Sequence, residues 1–413
     1  MKLSGRLWHH RDFLKLWAGD TVTQFTGQVT SLAIPTIAIL SLNVTGFELG
    51  VLSALGFIAF PTLGLFAGVW MDRMRRKRAM IMVNVIRLVA LATIPLAYVF
   101  NLLTLLQLYA VSLVMGVCML FFDVAYQSYL PSLVGREDIV EGNQKLQVSA
   151  SAGQVFGPSI ASILMGVVGA AFSIVADVLG FLVSVITLSM IRKPEPEPNP
   201  DRNRRNFFGD MKEGIKVVTS NSLLWTQAGC TATSNLGTSM FGVALLLYAY
   251  RILGISKSTI GFAFSIGAIG FLLGVLVSTN ITKRLGLGKT IALAISLNFG
   301  LLLSLLPLGK LSIIAIGAGF FLSNIGLPIY NINQVSLRQI ITPQRLQGRM
   351  NATMRTLVWG TIPLGSFIGG ILTTWLGIIP TLVISGLLSG LAFLWIVLGP
   401  IIKLQRHPEA VAD

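Results

Sequence analysis

Hydrophobic positions along the chain come in blocks of roughly twenty residues or more, separated by short polar segments. They follow neither the alternation of half-buried strands nor the narrow stripe of a soluble amphipathic helix. A helix that crosses a bilayer needs about 20 mostly apolar residues. Twelve stretches meet that need: 13–41, 46–71, 79–100, 104–128, 144–168, 170–191, 222–250, 257–281, 289–308, 311–333, 350–376 and 378–402. The split between the last two rests on Gly377 and Pro380. The pattern predicts an all-α integral membrane protein with twelve transmembrane helices.

One long polar stretch, 192–221, interrupts the series. It opens Arg192-Lys193-Pro194-Glu195-Pro196-Glu197-Pro198 and continues from Asp201 to Arg205. Alternating proline and charge resists both helix and sheet, so this part reads as an extended linker. Phe207 to Thr219 has amphipathic spacing and is expected to lie on the inner membrane surface. The chain thus divides into an N-terminal six-helix bundle (1–191), a cytoplasmic linker (192–221), a C-terminal six-helix bundle (222–402) and a tail (403–413). Two parallel repeats around a central cavity are the expected arrangement. The loop Gly68-Val-Trp-Met-Asp72-Arg73-Met-Arg75-Arg76-Lys77-Arg78 supports a repeat, because 211 residues later the chain reads Lys283-Arg284-Leu285-Gly286. In that second copy Lys283 takes the Asp slot and Thr279 the Gly slot.

Composition changes the picture in one respect. Of 413 residues 54% are hydrophobic and 11% charged, against about 25% charged in a soluble protein, and the formal net charge is +15. A basic balance of that size on a polar domain would suggest nucleic acid. Here 31 Lys and Arg, all but Arg87, Arg251, Lys257 and Lys310, fall in segments that share one side of the membrane if the N-terminus is inside. That is the positive-inside distribution, and it places both termini in the cytoplasm without a nucleic-acid partner. The basic N-terminus runs directly into an apolar stretch with no small-residue cleavage site, so no cleavable signal peptide is expected.

Enzymatic chemistry finds little support. His9, His10 and His407 lie at the chain ends, and Cys118 and Cys230 lie in separate apolar stretches, so no metal site is expected. No phosphate-binding Gly-x-x-x-x-Gly-Lys-Ser/Thr run occurs. Ionisable residues inside spans carry more information, since a charge at the bilayer centre costs at least about 2.5–3.5 kcal/mol and needs a partner or a task. There are four: Asp20 in span one, Arg87 in span three, Asp123 in span four and Asp177 in span six. The second half has no acidic residue within its spans.

The loop Gly68…Asp72-Arg73…Arg75-Arg76 resembles the G-x-x-x-D-R-x-G-R-R signature of the major facilitator superfamily, with Arg75 in place of a glycine. In span five, Gly153-Gln-Val-Phe-Gly157-Pro158-Ser-Ile-Ala161-Ser162 is similar to that superfamily's exporter-associated G-x-x-x-G-P-x-x-G-G element, with Ala161-Ser162 replacing the last glycine pair. Phe122-Asp123-Val-Ala-Tyr-Gln-Ser-Tyr-Leu-Pro131 and Asn333-Gln-Val-Ser-Leu-Arg338 look like the bacterial macrolide-efflux and enterobactin-exporter branch. The resemblance covers essentially the whole chain.

It implies a major facilitator fold of two pseudo-symmetric six-helix bundles and a secondary transporter that exports a small amphipathic molecule by proton antiport. The substrate would be a drug, a macrolide-like compound or a siderophore, and the partners are that molecule, protons and the lipid bilayer. No cofactor is implied, the chain is expected to act as a monomer in the bacterial cytoplasmic membrane, and it is not expected to be an enzyme. Gly68, Asp72 and Arg73 would latch the halves against the start of span eleven near Asn351 and Arg355. The alternative is that Arg73 to Arg78 only anchor topology. Gly153, Gly157 and Pro158 would shape the alternating-access switch, or simply pack helices closely. A proton-driven exporter needs a buried carboxylate that loads and unloads near neutral pH. Asp20 or Asp123 would fill that role beside Arg87, with a structural Asp–Arg pair as the alternative, and Asp177 as a further candidate, a cap or a packing contact. Gln24, Gln28, Asn235, Phe241, Asn324, Tyr330, Asn331 and Trp359 would line the substrate cavity, or bond across helices. An importer or lipid flippase of the same fold, or a membrane binding protein that has lost transport, are the rival functions.

Overall fold

The computed structural model describes residues 6–72, 74–135, 138–195, 207–406 and 408. Every regular element among them is helical. Eleven helical stretches among the described residues are long and apolar enough to cross a bilayer. The expected first span, α1 (Arg11–Leu40), has the length at 30 residues, but threonines, glutamines and Asp20 dilute its apolar content and leave it outside that set.

The remaining spans follow the hydrophobic blocks, with three kinds of departure. Span two is broken: α2 (Gly46–Leu55) and α3 (Ala59–Asp72) meet at a turn over 56–58. The first-half helices that follow are α4 (Arg76–Val99), α5 (Leu105–Val134), α6 (Ile139–Val168), the short α7 (Ala170–Ser173) and α8 (Val175–Ser189). Helices α5 and α6 run one to two turns beyond the apolar blocks. The linker gives α9 (Phe207–Ser220), and the second half gives α10 (Ser222–Leu247), α11 (Ile260–Leu285), α12 (Leu287–Ser296) and α13 (Ser312–Ile340). Span nine continues from α12 as a 3-10 helix over Leu297–Leu305. Span eleven is jointed at Gly360 into α14 (Gln344–Trp359) and α15 (Thr361–Trp375), and α16 (Ile378–Leu391) and α17 (Leu394–Leu398) end the series.

The residues form two compact units. The first comprises 1–44, 55–204 and 256–261, and the second 45–54, 205–255 and 262–413. In the first, α1 packs on α6 and α8, α4 packs on α5 and α8, and α3 lies on α5. Small residues set these approaches: Gly180 of α8 lies against Thr26 of α1, where an added Cβ would sit 3.1 Å from the threonine Cβ. In the second unit α10 packs on α15 and α16, and α13 packs on α12 and the 3-10 segment. Residues 45–54 belong to this unit because Gly50 lies against Gly370, Phe47 N donates to Thr374 Oγ1 at 2.8 Å, and Phe47 meets Phe367 edge-on.

Helix α9, the amphipathic part of the linker, packs on α14. Val218 is fully buried in the core that includes Met350 and Met354, Gly214 seats on Thr353, and Glu213 pairs with Arg349. Helix α14 thus covers the Val218 side of α9, while Ile215 stays exposed. Of the extended linker, 196–206 lies outside the described residues.

The start of the linker is fastened by charge. Glu195 accepts from the backbone N–H groups of Arg76 and Lys77 (2.7 and 3.1 Å) at the first turn of α4, where the helix leaves donors unpaired. Lys77 Nζ donates to the carbonyls of Ser189 and Ile191 beyond α8, and Lys193 Nζ to Leu133 O at the end of α5. Basic residues of these segments therefore close helix ends. Asp12 accepts from Lys15 at 2.7 Å and from the N–H groups of Arg192 and Lys193. Burial pushes its carboxyl upward, but those hydrogen bonds and the Lys15 charge outweigh it and hold the group below the usual aspartate range. A depressed value contributes stability that is complete above the ordinary aspartate pKa of about 3.9 and lost as pH falls through the folded value. Hydrogen exchange at the Arg192 and Lys193 amides, corrected for intrinsic rate, is accordingly expected to show protection at neutral pH that persists to about pH 3.9 and is lost only as pH falls further through the folded value. Asp12→Asn should lack this protection already at neutral pH, and equal protection in both proteins contradicts the assignment.

Candidate functional site

The buried polar residues of the first unit gather where α1, α4, α5 and α8 meet. Asp177 enters from the first turn of α8 and is wholly buried. Its two oxygens take hydrogen bonds from α1: Thr26 Oγ1 donates to Oδ1 at 2.8 Å and Thr30 Oγ1 to Oδ2 at 2.5 Å. The threonines stand four residues apart, one helical turn, so both face the same carboxylate. Arg87 of α4 is buried at 7% exposure. Its guanidinium lies over the rings of Phe122 (5.2 Å) and Phe181 (5.3 Å), and Nη1 donates to Asn84 Oδ1 at a long 3.4 Å. Asn84 Nδ2 in turn donates to Ser184 Oγ at 3.0 Å. Arg87 Nε has no hydrogen-bond partner among the described residues. Asp177 and Asp123 lie within electrostatic range of Arg87 but do not form an ion pair with it.

Asp20 differs from Asp177. It is 7% exposed, and its carboxylate receives one long hydrogen bond, from Gln24 Nε2 at 3.5 Å, with no cation beside it among the described residues. Asp123, half-buried on α5, accepts from Gln127 Nε2 at 3.2 Å. Between the two lies Tyr126, stacked on Phe122 at 5.8 Å and within electrostatic range of both carboxylates. Its buried hydroxyl has no hydrogen-bond partner among the described residues.

The α1–α6 seam joins this cluster to the motif of span five. Gly153 lies against the Gln24 carbonyl, where a Cβ would sit 3.0 Å away, and Gly157 against the Gln28 side chain. Thr21 Oγ1 donates to Ser149 Oγ (2.9 Å) along the same seam. Pro158 lies within α6, and its carbonyl and the Ser162 hydroxyl face Gly261, whose N–H donates to Ser162 Oγ at 2.7 Å. Ser162, a glycine in the signature it resembles, thus supplies a specific acceptor.

The second unit holds the other candidates. Asn235 Nδ2 donates to Val358 O at 3.1 Å, and Arg355 lies 4.5 Å over the Trp359 ring. Asn324 is half-buried beside Gly267, and Asn331 is exposed. Phe241 and Tyr330, at 1% and 2% exposure, are buried in this unit. The Tyr330 hydroxyl is taken by Thr231 at 2.6 Å. Arg73 lies outside the described residues, as does the side chain of Asp72, and only the backbone of Gly68 is described. Among the described residues no group of three His, Cys, Asp or Glu is placed to hold a metal ion.

Residues 16–362 match the model of the Major Facilitator Superfamily. The chain belongs to that superfamily. Its members are transporters and not enzymes. Macrolide efflux protein A of Streptococcus pyogenes is 25% identical over 390 residues, covering 91% of this chain and 93% of that one. The enterobactin exporter EntS of Salmonella typhi is 24% identical over 83% of this chain and 82% of its own length. Among solved structures, an inward-facing bacterial homologue of the iron transporter ferroportin superposes with a TM-score of 0.72 over 95% of this chain at 17% identity, which establishes likeness of fold.

Within this major facilitator chain, Asp20, Asp123, Arg87 and Asp177 occupy one polar region of the first unit. The direct Asp–Arg pair offered as an alternative is absent among the described residues, because Arg87 is held between two aromatic faces instead. Thr26, Thr30, Asn84, Ser184 and Tyr126 escaped the sequence reading. Thr26 and Thr30 carry a legible signal, two hydroxyls one turn apart on the helix bearing Asp20. If Asp177 depends on both, Thr30→Val should lower stability by about 1–3 kcal/mol, since a buried acceptor loses its donor. Thermal unfolding in detergent measures this, and adding Asp177→Asn to Thr30→Val should cost less than Asp177→Asn alone. Additive losses contradict the pairing.

Proposed function

We propose that this chain exports an amphipathic small molecule across the bacterial cytoplasmic membrane in exchange for protons, with Asp20 carrying the proton. The observation behind this assignment is the contrast between two buried carboxylates on neighbouring helices. Asp177 is tied by two hydroxyl donors. Asp20 has one weak donor and no cation. A buried carboxyl whose charge is not otherwise compensated binds a proton or a cationic group of the substrate, and the competition between them couples their movements.

The position of Asp20 supports coupling to a conformational switch. Gln24, its hydrogen-bond partner, is also the residue on which Gly153 seats. A change of charge at Asp20 therefore acts on the α1–α6 seam, where close backbone approach leaves little freedom for gradual adjustment. Asp123 and Tyr126 extend the polar region toward α5, and the unpartnered Tyr126 hydroxyl is placed to serve either carboxyl. Gln28, Asn235, Asn324, Asn331 and Trp359 are the substrate contacts we propose, supplying neutral hydrogen bonds and an aromatic face suited to a large amphipathic molecule. Macrolides and siderophores are the compound classes suggested by the names of the relatives. The distribution of Lys and Arg supports cytoplasmic termini.

Everted membrane vesicles with an acid interior test the proposal. Macrolides, cationic dyes and catecholate or hydroxamate siderophores are added singly while a pH-sensitive dye follows the gradient. One class should release protons in the wild type. Asp20→Asn should abolish that release, Asp123→Asn should reduce it about tenfold or more, and folded protein should be present in each membrane. Normal release by Asp20→Asn overturns the assignment of the proton site. Accumulation of the compound on the cytoplasmic side identifies an importer.

A further inference from the structure

A second polar feature lies wholly within the second unit. A cavity of about 710 Å³ opens between the ends of α11 and α13, the start of α12 and the chain segment after α17. Its construction follows from local demands. Helix α12 begins after Gly286, whose φ of 83° permits the sharp turn out of α11. The first N–H groups of α12 need acceptors, and the C-terminal segment supplies them: Leu287 N donates to Gln405 O at 3.1 Å and Gly288 N to Leu404 O at 2.9 Å. That docking brings Arg406 to a rim that already carries Lys283 and Arg284 from the last turn of α11.

Three properties set this cavity apart from a packing gap. Among the described residues, Lys283, Arg284 and Arg406 make no ion pair or side-chain hydrogen bond, and no carboxylate lines the cavity. Ser278 lines it, is 1% exposed, and its hydroxyl has no hydrogen-bond partner among the described residues. Asn333, the other buried polar residue there, is satisfied by Thr282 and Ile329 and holds the wall in place. The site therefore offers three uncompensated positive charges and a buried orphan hydroxyl, a donor set suited to a phosphate oxyanion.

The same helix indicates where that phosphate comes from. Ile269, Leu272 and Leu276 of α11 are exposed by 50%, 43% and 73% and stand at three- and four-residue spacing. The stripe continues to Thr279 and Lys283, both of which line the cavity. An apolar track that ends in a cationic cavity has the polarity of a phospholipid. We infer that this cavity holds the phosphate headgroup of an anionic phospholipid, with an acyl chain along Ile269–Leu276. Basic pockets between transmembrane helices on the cytoplasmic side recognise such headgroups on electrostatic grounds. The inference stands apart from the export reading and survives its failure.

The test places the full chain in phosphatidylcholine nanodiscs with and without phosphatidylglycerol and counts retained lipid by native mass spectrometry. Wild type should retain phosphatidylglycerol selectively. The variant combining Lys283→Gln, Arg284→Gln and Arg406→Gln should hold it roughly a hundredfold more weakly. Its thermal midpoint in pure phosphatidylcholine should match wild type, since these side chains are exposed and unpaired. Ser278→Ala should weaken retention with all three charges intact, which separates a built site from general charge attraction. A parallel arm adds inorganic phosphate to the phosphatidylcholine discs. Equal lipid retention by wild type and the triple variant overturns the site. Protection by soluble phosphate without preference for phosphatidylglycerol overturns the lipid as its occupant.

Discussion

Hydrocarbon offers no water to a polar group, so each donor or acceptor carried into a transmembrane helix must find its partner within the protein. That constraint organises the first unit. Asp177 takes Thr26 and Thr30 from the adjacent helix, Asn84 takes Ser184, and Arg87 spreads its charge over two aromatic faces. Helices α1, α4 and α8 are fixed against one another by these obligations as much as by packing. Against that background Asp20 stands out as the buried carboxylate with a single long hydrogen bond, while Trp17 Nε1, Arg87 Nε and the Tyr126 and Tyr129 hydroxyls are left without partners among the described residues. In the second unit several buried polar groups lack a partner among the described residues, and Ser278 is the one among them that lines the cavity rimmed by three cations.

Close packing supplies the second constraint. Without water to expel between helices, association in a bilayer depends on van der Waals fit, and small residues permit it. Gly153 and Gly157 receive Gln24 and Gln28, and Gly50 meets Gly370. The glutamines read from sequence as cavity residues are thus also the surface on which the span-five motif rests. This shared use joins a candidate ligand contact to a candidate moving part, and a seam packed to backbone contact responds to a change in charge by shifting as a unit.

Most of the fold was legible in the sequence because bilayer thickness imposes a length on every apolar block. The exceptions have particular causes. Threonines and glutamines in α1 serve the polar cluster and lower its hydropathy, so the span most involved in function looks least like one. The break at 56–58 carries no proline, and the packing of α9 on α14 through Val218 is a tertiary contact that its amphipathic spacing does not specify. The ionisable residues were conspicuous as exceptions to an apolar rule. Their partners were not, since a threonine in a membrane helix is common and its orientation is a tertiary fact. Phe241 and Tyr330 are buried, a tertiary fact that an aromatic on such a span does not disclose from sequence. The lipid site was half visible: Lys283-Arg284 was recognised as a degenerate repeat, but only the folded tail brings Arg406 beside it.

The central claim is that proton and substrate share one buried carboxyl in the first unit. Its most direct test is proton release on substrate binding, measured with purified protein in weakly buffered solution and a pH indicator, using the compound identified in vesicles. The account predicts stoichiometric proton release on saturation of the wild type, abolished by Asp20→Asn and retained by Asp177→Asn. Saturable binding with no proton release at any pH from 5 to 8, the window in which a coupling carboxyl must exchange its proton, would contradict it.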